Sequence, residues 1–177
     1  MDGFTEELLR LLGTDVWQYA VCTTDKICFD PEVRKACERN YCGRYGKCWT
    51  CPPGVGETDV LQTELLSYKN VFIFTTKHDI EDSFDVEGMG EAHKLHEAAT
   101  RRLLDLCKTN GAKLLGAGGC SLCEKCSYPD APCRHPDKAL SSVEACGMNV
   151  METSKRVGVN YINGANTVTY FTAVFFN

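Results

Sequence analysis

Twelve cysteines in a chain of 177 residues are the feature that most constrains this protein. Disulfide frameworks belong mainly to exported proteins, whereas cysteines that stay reduced in the cytosol and crowd together commonly bind metal. The segment 4–12 contains charged residues, so it has the pattern of neither a signal peptide nor a membrane span. We therefore expect a cytoplasmic protein whose cysteines bind metal.

The later group of cysteines has the more informative spacing. Cys120, Cys123 and Cys126 form a CxxCxxC run, and Cys133 follows six residues after it. Three thiolates at this spacing can hold three corners of a four-iron cluster, whereas zinc more often takes cysteines as two separated pairs. The run resembles that of bacterial ferredoxins without their final CxxxCP element. Cys133 is therefore either the fourth ligand of this cluster or a ligand of another one.

The earlier group is compact but less regular. Its four cysteines lie within fifteen residues, at Cys37, Cys42, Cys48 and Cys51. Because the spacing is irregular, zinc is a stronger alternative here than in the later group. The sequence predicts that these groups bind one or two [4Fe-4S] clusters, with two expected, and zinc is the alternative metal.

Four more cysteines and three histidines are given less specific roles. Isolated cysteines are usually small buried hydrophobic residues, and this is our expectation for Cys22, Cys28, Cys107 and Cys146. Cys22 and Cys28 stay open as replacement ligands, because ligand spacing constrains clusters loosely. His93 and His96 share a helix face and are expected at the solvated surface. His135 is expected to donate or accept a hydrogen bond rather than to bind metal.

Helical and strand patterns alternate along the chain. The periodicity predicts helices over 4–12, 58–68 and 89–107, short helices near 141–144 and 153–157, and strands over 16–21, 70–76, 113–117 and 167–176. Segment 70–118 is a candidate βαβ unit. Segment 119–138 has few large aliphatic residues, so its order is expected to come from bound metal. We predict an α/β or α+β fold, a single domain over 1–177 with a small mixed sheet.

Three motifs in this order resemble a known family. CGRYGKCWTCPP, then GGCSLCEKC with PCRHP, then SSVEACGMNV are similar to the domain-of-unknown-function 2284 family of predicted metal-binding, cysteine-rich prokaryotic proteins. The resemblance covers nearly the whole chain. In that family's pattern the positions of Cys37, Cys42, Cys51 and the later group are cysteine, whereas Cys48 is less typical. The resemblance implies metal binding but no reaction, and without Cys48 one iron of the first cluster would be open.

The predicted function is a redox module that exchanges electrons with a partner protein or a small molecule. The sequence has no dinucleotide-binding turn, P-loop or nucleophile elbow, and its charge of -5 argues against nucleic acid as a partner. No membrane partner is expected. An alternative is an enzyme with an open iron, in which Arg44, Tyr45 or Lys47 positions the substrate. Another alternative is a zinc-stabilised binding protein. The oligomeric state is not predicted.

Overall fold

The computed structural model describes residues 2–177 and has the predicted α+β class. One four-stranded sheet has the order β1-β2-β4-β3. The strands are β1 (Gln18–Thr23), β2 (Asn70–Asp79), β3 (Lys113–Leu115) and β4 (Thr167–Phe176). The helices are α1 (Gly3–Leu12), α2 (Pro31–Glu38), α3 (Thr58–Leu66), α4 (Val86–Arg101), α5 (Leu104–Thr109) and α6 (Val150–Val157).

The strands pair differently from the mixed sheet that the sequence predicts. Each neighbouring pair of strands is antiparallel. Since β2 and β3 both pair with β4, they run in the same direction with β4 between them. The predicted βαβ unit is therefore present as two parallel strands joined by α4 and α5, but β4 splits it. A single parallel bridge, between Gly116 and Ser142, continues the sheet just beyond β3.

Both faces of the central strands β2 and β4 are covered by other elements, whereas β1 exposes Tyr19 and Val21 on one face. Side chains alternate between the two faces of a strand, so Val71 and Ile73 face one core while Phe72 and Phe74 face the other. The first core is closed by α3, α6 and the 3-10 turn Glu144–Cys146, and the second by α1, α4 and α5. Within residues 2–177, no helix has the length and apolar character needed to cross a membrane.

Two helical features differ from the sequence prediction. Helix α2 was not predicted, although Asp30 caps its N-terminus by accepting a hydrogen bond from the Glu32 amide and Pro31 opens its first turn. The predicted helix over 89–107 is divided, because the chain turns at residues 102–103 between α4 and α5. Helix α2 matters for the site, since Cys37 lies in its last turn.

The prediction that His93 and His96 lie at the solvated surface is wrong. His96 is fully buried, with its Nδ1 2.9 Å from the Thr76 hydroxyl and its Nε2 2.9 Å from the Thr172 hydroxyl. His93 is half-buried, and its Nε2 donates a hydrogen bond of 2.8 Å to the Ala117 carbonyl. Burial, with smaller contributions from His93 and His78, lowers the pKa of His96 to about 3. Its ring therefore connects α4 to β2 and β4 as a neutral group.

We expect the His96 ring to stay neutral between pH 7.5 and pH 5, because protonation would place a charge in the core between two hydroxyl groups. Histidine side-chain nitrogen shifts in NMR spectra, assigned by comparison with a His96→Gln variant, would check this. A His96 signal that titrates with a midpoint near the ordinary pKa of about 6.5 would contradict the account of this core.

Candidate metal centre

Two cavities adjoin one another beyond the carboxyl end of β3. The first cavity has a volume of about 200 Å³, and its lining includes Cys37, Cys42, Cys51, Arg44, Tyr45 and Glu144. The second cavity has a volume of about 20 Å³, and its lining includes Cys48, Cys120, Cys123, Cys126, Cys133 and Arg44. All eight cysteines of the two sequence groups thus line one cavity or the other, and Arg44 lines both.

The three thiols of the first cavity come from one short stretch of chain. Asn40 adopts the left-handed conformation with a φ of 58°, and its side chain accepts a hydrogen bond from the Tyr45 amide at 3.0 Å. The turn that follows brings Cys42 back toward Cys37 in the last turn of α2. Cys51 is buried in the next loop.

Burial, together with neighbouring thiols, disfavours ionisation of Cys37 and Cys51. Burial, then the neighbouring Cys48 and Cys42, raises the pKa of Cys51 to about 12. Burial, then Cys42 and Glu144, also raises the pKa of Cys37. A metal ion reverses this balance, because a coordinated thiol is deprotonated. Cys37 and Cys51 are therefore neutral thiols in the absence of metal, and their thiolate forms would be the ones that hold a cationic metal centre.

Cys48 lines the second cavity, although the sequence groups it with the three cysteines that line the first. Its sulfur is 3.2 Å from the Thr50 hydroxyl. It also interacts with both Cys51 and Cys126, so it lies between the two sets of thiols. The first cavity is therefore left with three thiols, and the second is lined by five.

The surroundings of Cys126 make its thiol easier to ionise than an ordinary cysteine. Burial opposes ionisation there, but hydrogen bonds from the backbone amides of Tyr128 and Trp49, with the Cys48 thiol, lower the pKa of Cys126 below its usual range. A thiolate is the form that binds metal. The four cysteines from Cys120 to Cys133 lie on a segment without helix or strand, as the sequence predicts.

Contacts between the two cysteine segments hold that loop in place. The Trp49 indole donates a hydrogen bond of 3.0 Å to the Ala131 carbonyl, and its ring meets Tyr128 edge-on at 4.8 Å. The Cys120 amide donates to the Thr50 hydroxyl at 3.4 Å. Trp49 and Thr50 thus join the earlier segment to the later one, which keeps the two cavities side by side.

Two glycines follow β3 and allow the chain there to pass close to His93 and Arg44. Gly118 has a φ of 67°, and a Cβ there would lie 2.9 Å from Nε2 of His93. A Cβ at Gly119 would lie 3.1 Å from the Cγ of Arg44. Gly118 therefore needs glycine for both space and conformation, whereas a Cβ at Gly119 would require the Arg44 side chain to shift by a few tenths of an ångström.

The other residues singled out in the sequence have varied positions. Tyr45 and Arg44 line the first cavity, whereas Lys47 is exposed and lines neither cavity. Arg134 and His135 are exposed and line the second cavity, and Arg134 donates a hydrogen bond of 2.9 Å to the Lys125 carbonyl.

The four remaining cysteines line neither cavity. Cys107 and Cys146 are buried in the two cores, as predicted. Cys22 packs against the first core, and Cys28 is half-buried. All twelve cysteines are free thiols.

Glu144 is a site residue that the sequence reasoning did not identify. Its Oε2 atom is buried without a hydrogen-bond partner, and it lines the first cavity. Burial raises the pKa of Glu144, although its own backbone amide and Ser142 act in the opposite direction. The sequence feature that could have indicated Glu144 is a single charged residue among small and apolar residues, in SSVEACGM. Within residues 2–177, no three histidine, cysteine or acidic side chains are placed so that together they could hold a single metal ion.

Replacing Gly118 with alanine should lower the thermal unfolding midpoint more than replacing Gly111. Both glycines have a left-handed φ, 67° and 62°, so both variants bear a backbone penalty of roughly 1–2 kcal/mol. A Cβ at Gly111 meets nothing within 4 Å, whereas one at Gly118 must displace His93. The displacement adds about 1–3 kcal/mol. Equal midpoints for the two variants, measured by circular dichroism, would mean that the His93 contact does not constrain the β3 exit.

Comparison with known proteins gives one family match. A family model described as "Predicted metal-binding protein (DUF2284)" matches residues 20–176, a span that contains both cavities. Neither the curated proteins nor the solved structures include a significant match. Since the match covers most of the chain and all of the cysteines that line the cavities, this chain belongs to the DUF2284 family of predicted metal-binding proteins.

Proposed function

We propose that this protein is an iron–sulfur protein of the cytoplasm that holds a [4Fe-4S] cluster in each cavity and transfers electrons. The observation that carries the proposal is the grouping of eight thiols around two adjoining cavities that share Arg44. A four-iron cluster is normally held by four cysteine thiolates, and bound clusters supply one-electron chemistry. The cytoplasm keeps such thiols reduced and available for ligation.

The five thiols of the second cavity exceed the four that a cluster needs. We assign the ligands as Cys120, Cys123, Cys126 and Cys133. Cys48 is the extra thiol, because its sulfur is already within 3.2 Å of the Thr50 hydroxyl and it interacts with Cys126. Hydrogen bonds to cluster sulfurs help to set a reduction potential. Cys48 therefore acts as a neighbour of the ligands in both cavities rather than as a ligand.

The second cavity must enlarge to hold a cluster, since about 20 Å³ is space for about one water. The segment that would move is suited to this, because no residue from 119 to 138 is buried. A segment with little buried surface shifts at low cost in free energy. Segment 119–138 could move in this way while it keeps its contacts with Trp49 and Thr50.

Two arginines near the cavities support clusters whose thiolate ligands give them a net negative charge. A cluster with thiolate ligands is anionic, and a nearby guanidinium group stabilises such charge. Arg44 lines both cavities and Arg134 lines the second. Because Arg44 is shared, it couples the electrostatics of the two proposed clusters, as expected of neighbouring sites that exchange electrons.

A second candidate function is an enzyme that binds its substrate at the first cluster. It is favoured by one observation: the larger cavity, of about 200 Å³, is lined by three thiols rather than four. Tyr45 and Arg44 line the same cavity and would orient a bound molecule. In such an enzyme, substrate binding would change the EPR spectrum of the first cluster. In a simple electron carrier, no small molecule binds the cluster, so its spectrum would not change in this way.

Protein purified without air should contain about eight irons and as much acid-labile sulfide per chain. A Cys123→Ser variant should lose about half of both, because it removes one ligand of the second cluster. Cys22→Ser is the matched control, since Cys22 is also half-buried but lines neither cavity, and it should keep the full content. Cys48→Ala should also keep about eight irons.

Metal and sulfide analysis, together with the visible spectrum, decides between the proposals. A colourless protein that contains only zinc would contradict both cluster functions and would support a zinc-stabilised binding protein. Loss of iron in Cys48→Ala equal to that in Cys123→Ser would mean that Cys48 is a ligand.

A further inference from the structure

Glu144 presents a carboxylate oxygen that nothing in the described chain satisfies. Its Oε2 atom is buried, has no hydrogen-bond partner and belongs to the lining of the first cavity. Buried polar atoms are nearly always paired, and an unpaired buried carboxylate is costly. An exception of this kind beside three thiols points to a partner that occupies the cavity.

Arg34, which precedes Cys37 on α2, forms no ion pair with Glu144. Arg34 lies on α2, three residues before Cys37, and its Nη2 donates a hydrogen bond of 3.1 Å to the Gly56 carbonyl. Its Nη1 is itself buried without a partner. Among residues 2–177, no ion pair within 4.0 Å involves Glu144.

The 3-10 turn that carries Glu144 is fixed relative to the helix that carries Cys37. The Asp30 amide, at the start of α2, donates to the Gly147 carbonyl at 3.0 Å. Gly147, which ends the turn, has a φ of 83°, and a Cβ there would lie 2.7 Å from Nε2 of Gln62. On the other side, the Val143 amide donates to the Gly116 carbonyl at 3.1 Å. Glu144 is therefore held against the cavity from both sides.

We propose that the Glu144 carboxylate is the fourth protein ligand of the metal cluster in the first cavity, beside Cys37, Cys42 and Cys51. This inference rests on the proposed iron–sulfur function. Three thiolates and one carboxylate carry the same total charge as four thiolates, so the charge of the ligand set is unchanged. A carboxylate is a harder ligand than a thiolate and binds a thiophilic iron less tightly. The iron at Glu144 is therefore the most readily lost or exchanged.

The test compares iron retention after brief oxidation with ferricyanide in four anaerobically purified proteins. The wild type should keep about eight irons. Glu144→Gln, which preserves the side-chain volume, should lose about one iron per chain and show the EPR signal of a three-iron cluster, because an amide is a weaker ligand. Glu144→Cys should retain iron at least as well as the wild type. Arg34→Gln, the control for an ion pair with Glu144, should behave as the wild type.

Two results would overturn the assignment of Glu144. One is iron retention and an EPR spectrum in Glu144→Gln that match those of the wild type. The other is loss of iron in Arg34→Gln equal to that in Glu144→Gln, without rescue by Glu144→Cys, which would make the carboxylate an ion-pair partner. Failure of the proposed function looks different, because the untreated wild type would then lack iron and sulfide, and the ligand assignment would fall with it.

Discussion

The grouping of eight thiols around two adjoining cavities is the constraint on which the loops of this protein depend. Burial and neighbouring thiols raise the pKa of Cys51 to about 12, and similar crowding acts on Cys37. Free thiols gain little from such an arrangement, whereas metal coordination converts them to thiolates and links separate stretches of chain. Helix α2, the loops after it and the segment after β3 together position these thiols around the two cavities.

The sheet provides the rigid part of that arrangement. The buried His96 joins α4 to β2 and β4 through two hydroxyl groups. His93, one turn earlier on α4, donates to the Ala117 carbonyl where β3 ends. The chain leaving β3 passes through Gly118 and Gly119 directly into the lining of the first cavity. The segment beyond contributes no buried residue, so its order depends on contacts with Trp49 and Thr50 and on whatever the thiols bind.

Local patterns predicted the regular elements well and the long-range contacts poorly. The terminal strand was predicted with its observed bounds, Thr167–Phe176, because β-branched and aromatic residues fill it. The burial of His96 was missed because its hydroxyl partners lie 20 and 76 residues away in the sequence. The capping signal of α2, at Asp30 and Pro31, was overlooked among the cysteines. The sheet pairing was missed because β4, the last strand, inserts between β2 and β3.

In the candidate site, too, local sequence patterns predicted more than could be predicted of the long-range contacts. All eight cysteines chosen from spacing line the two cavities. Spacing grouped Cys48 with Cys37, Cys42 and Cys51, whereas the fold of the Thr50 turn against Cys120 places it in the lining of the second cavity. Glu144 has no motif, and only burial identifies it.

The most direct test of two clusters in two cavities is anomalous diffraction from anaerobically grown crystals, recorded at the iron and zinc edges. The account predicts two separate iron sites, one in each cavity; zinc in the cavities, or iron in only one of them, would contradict it.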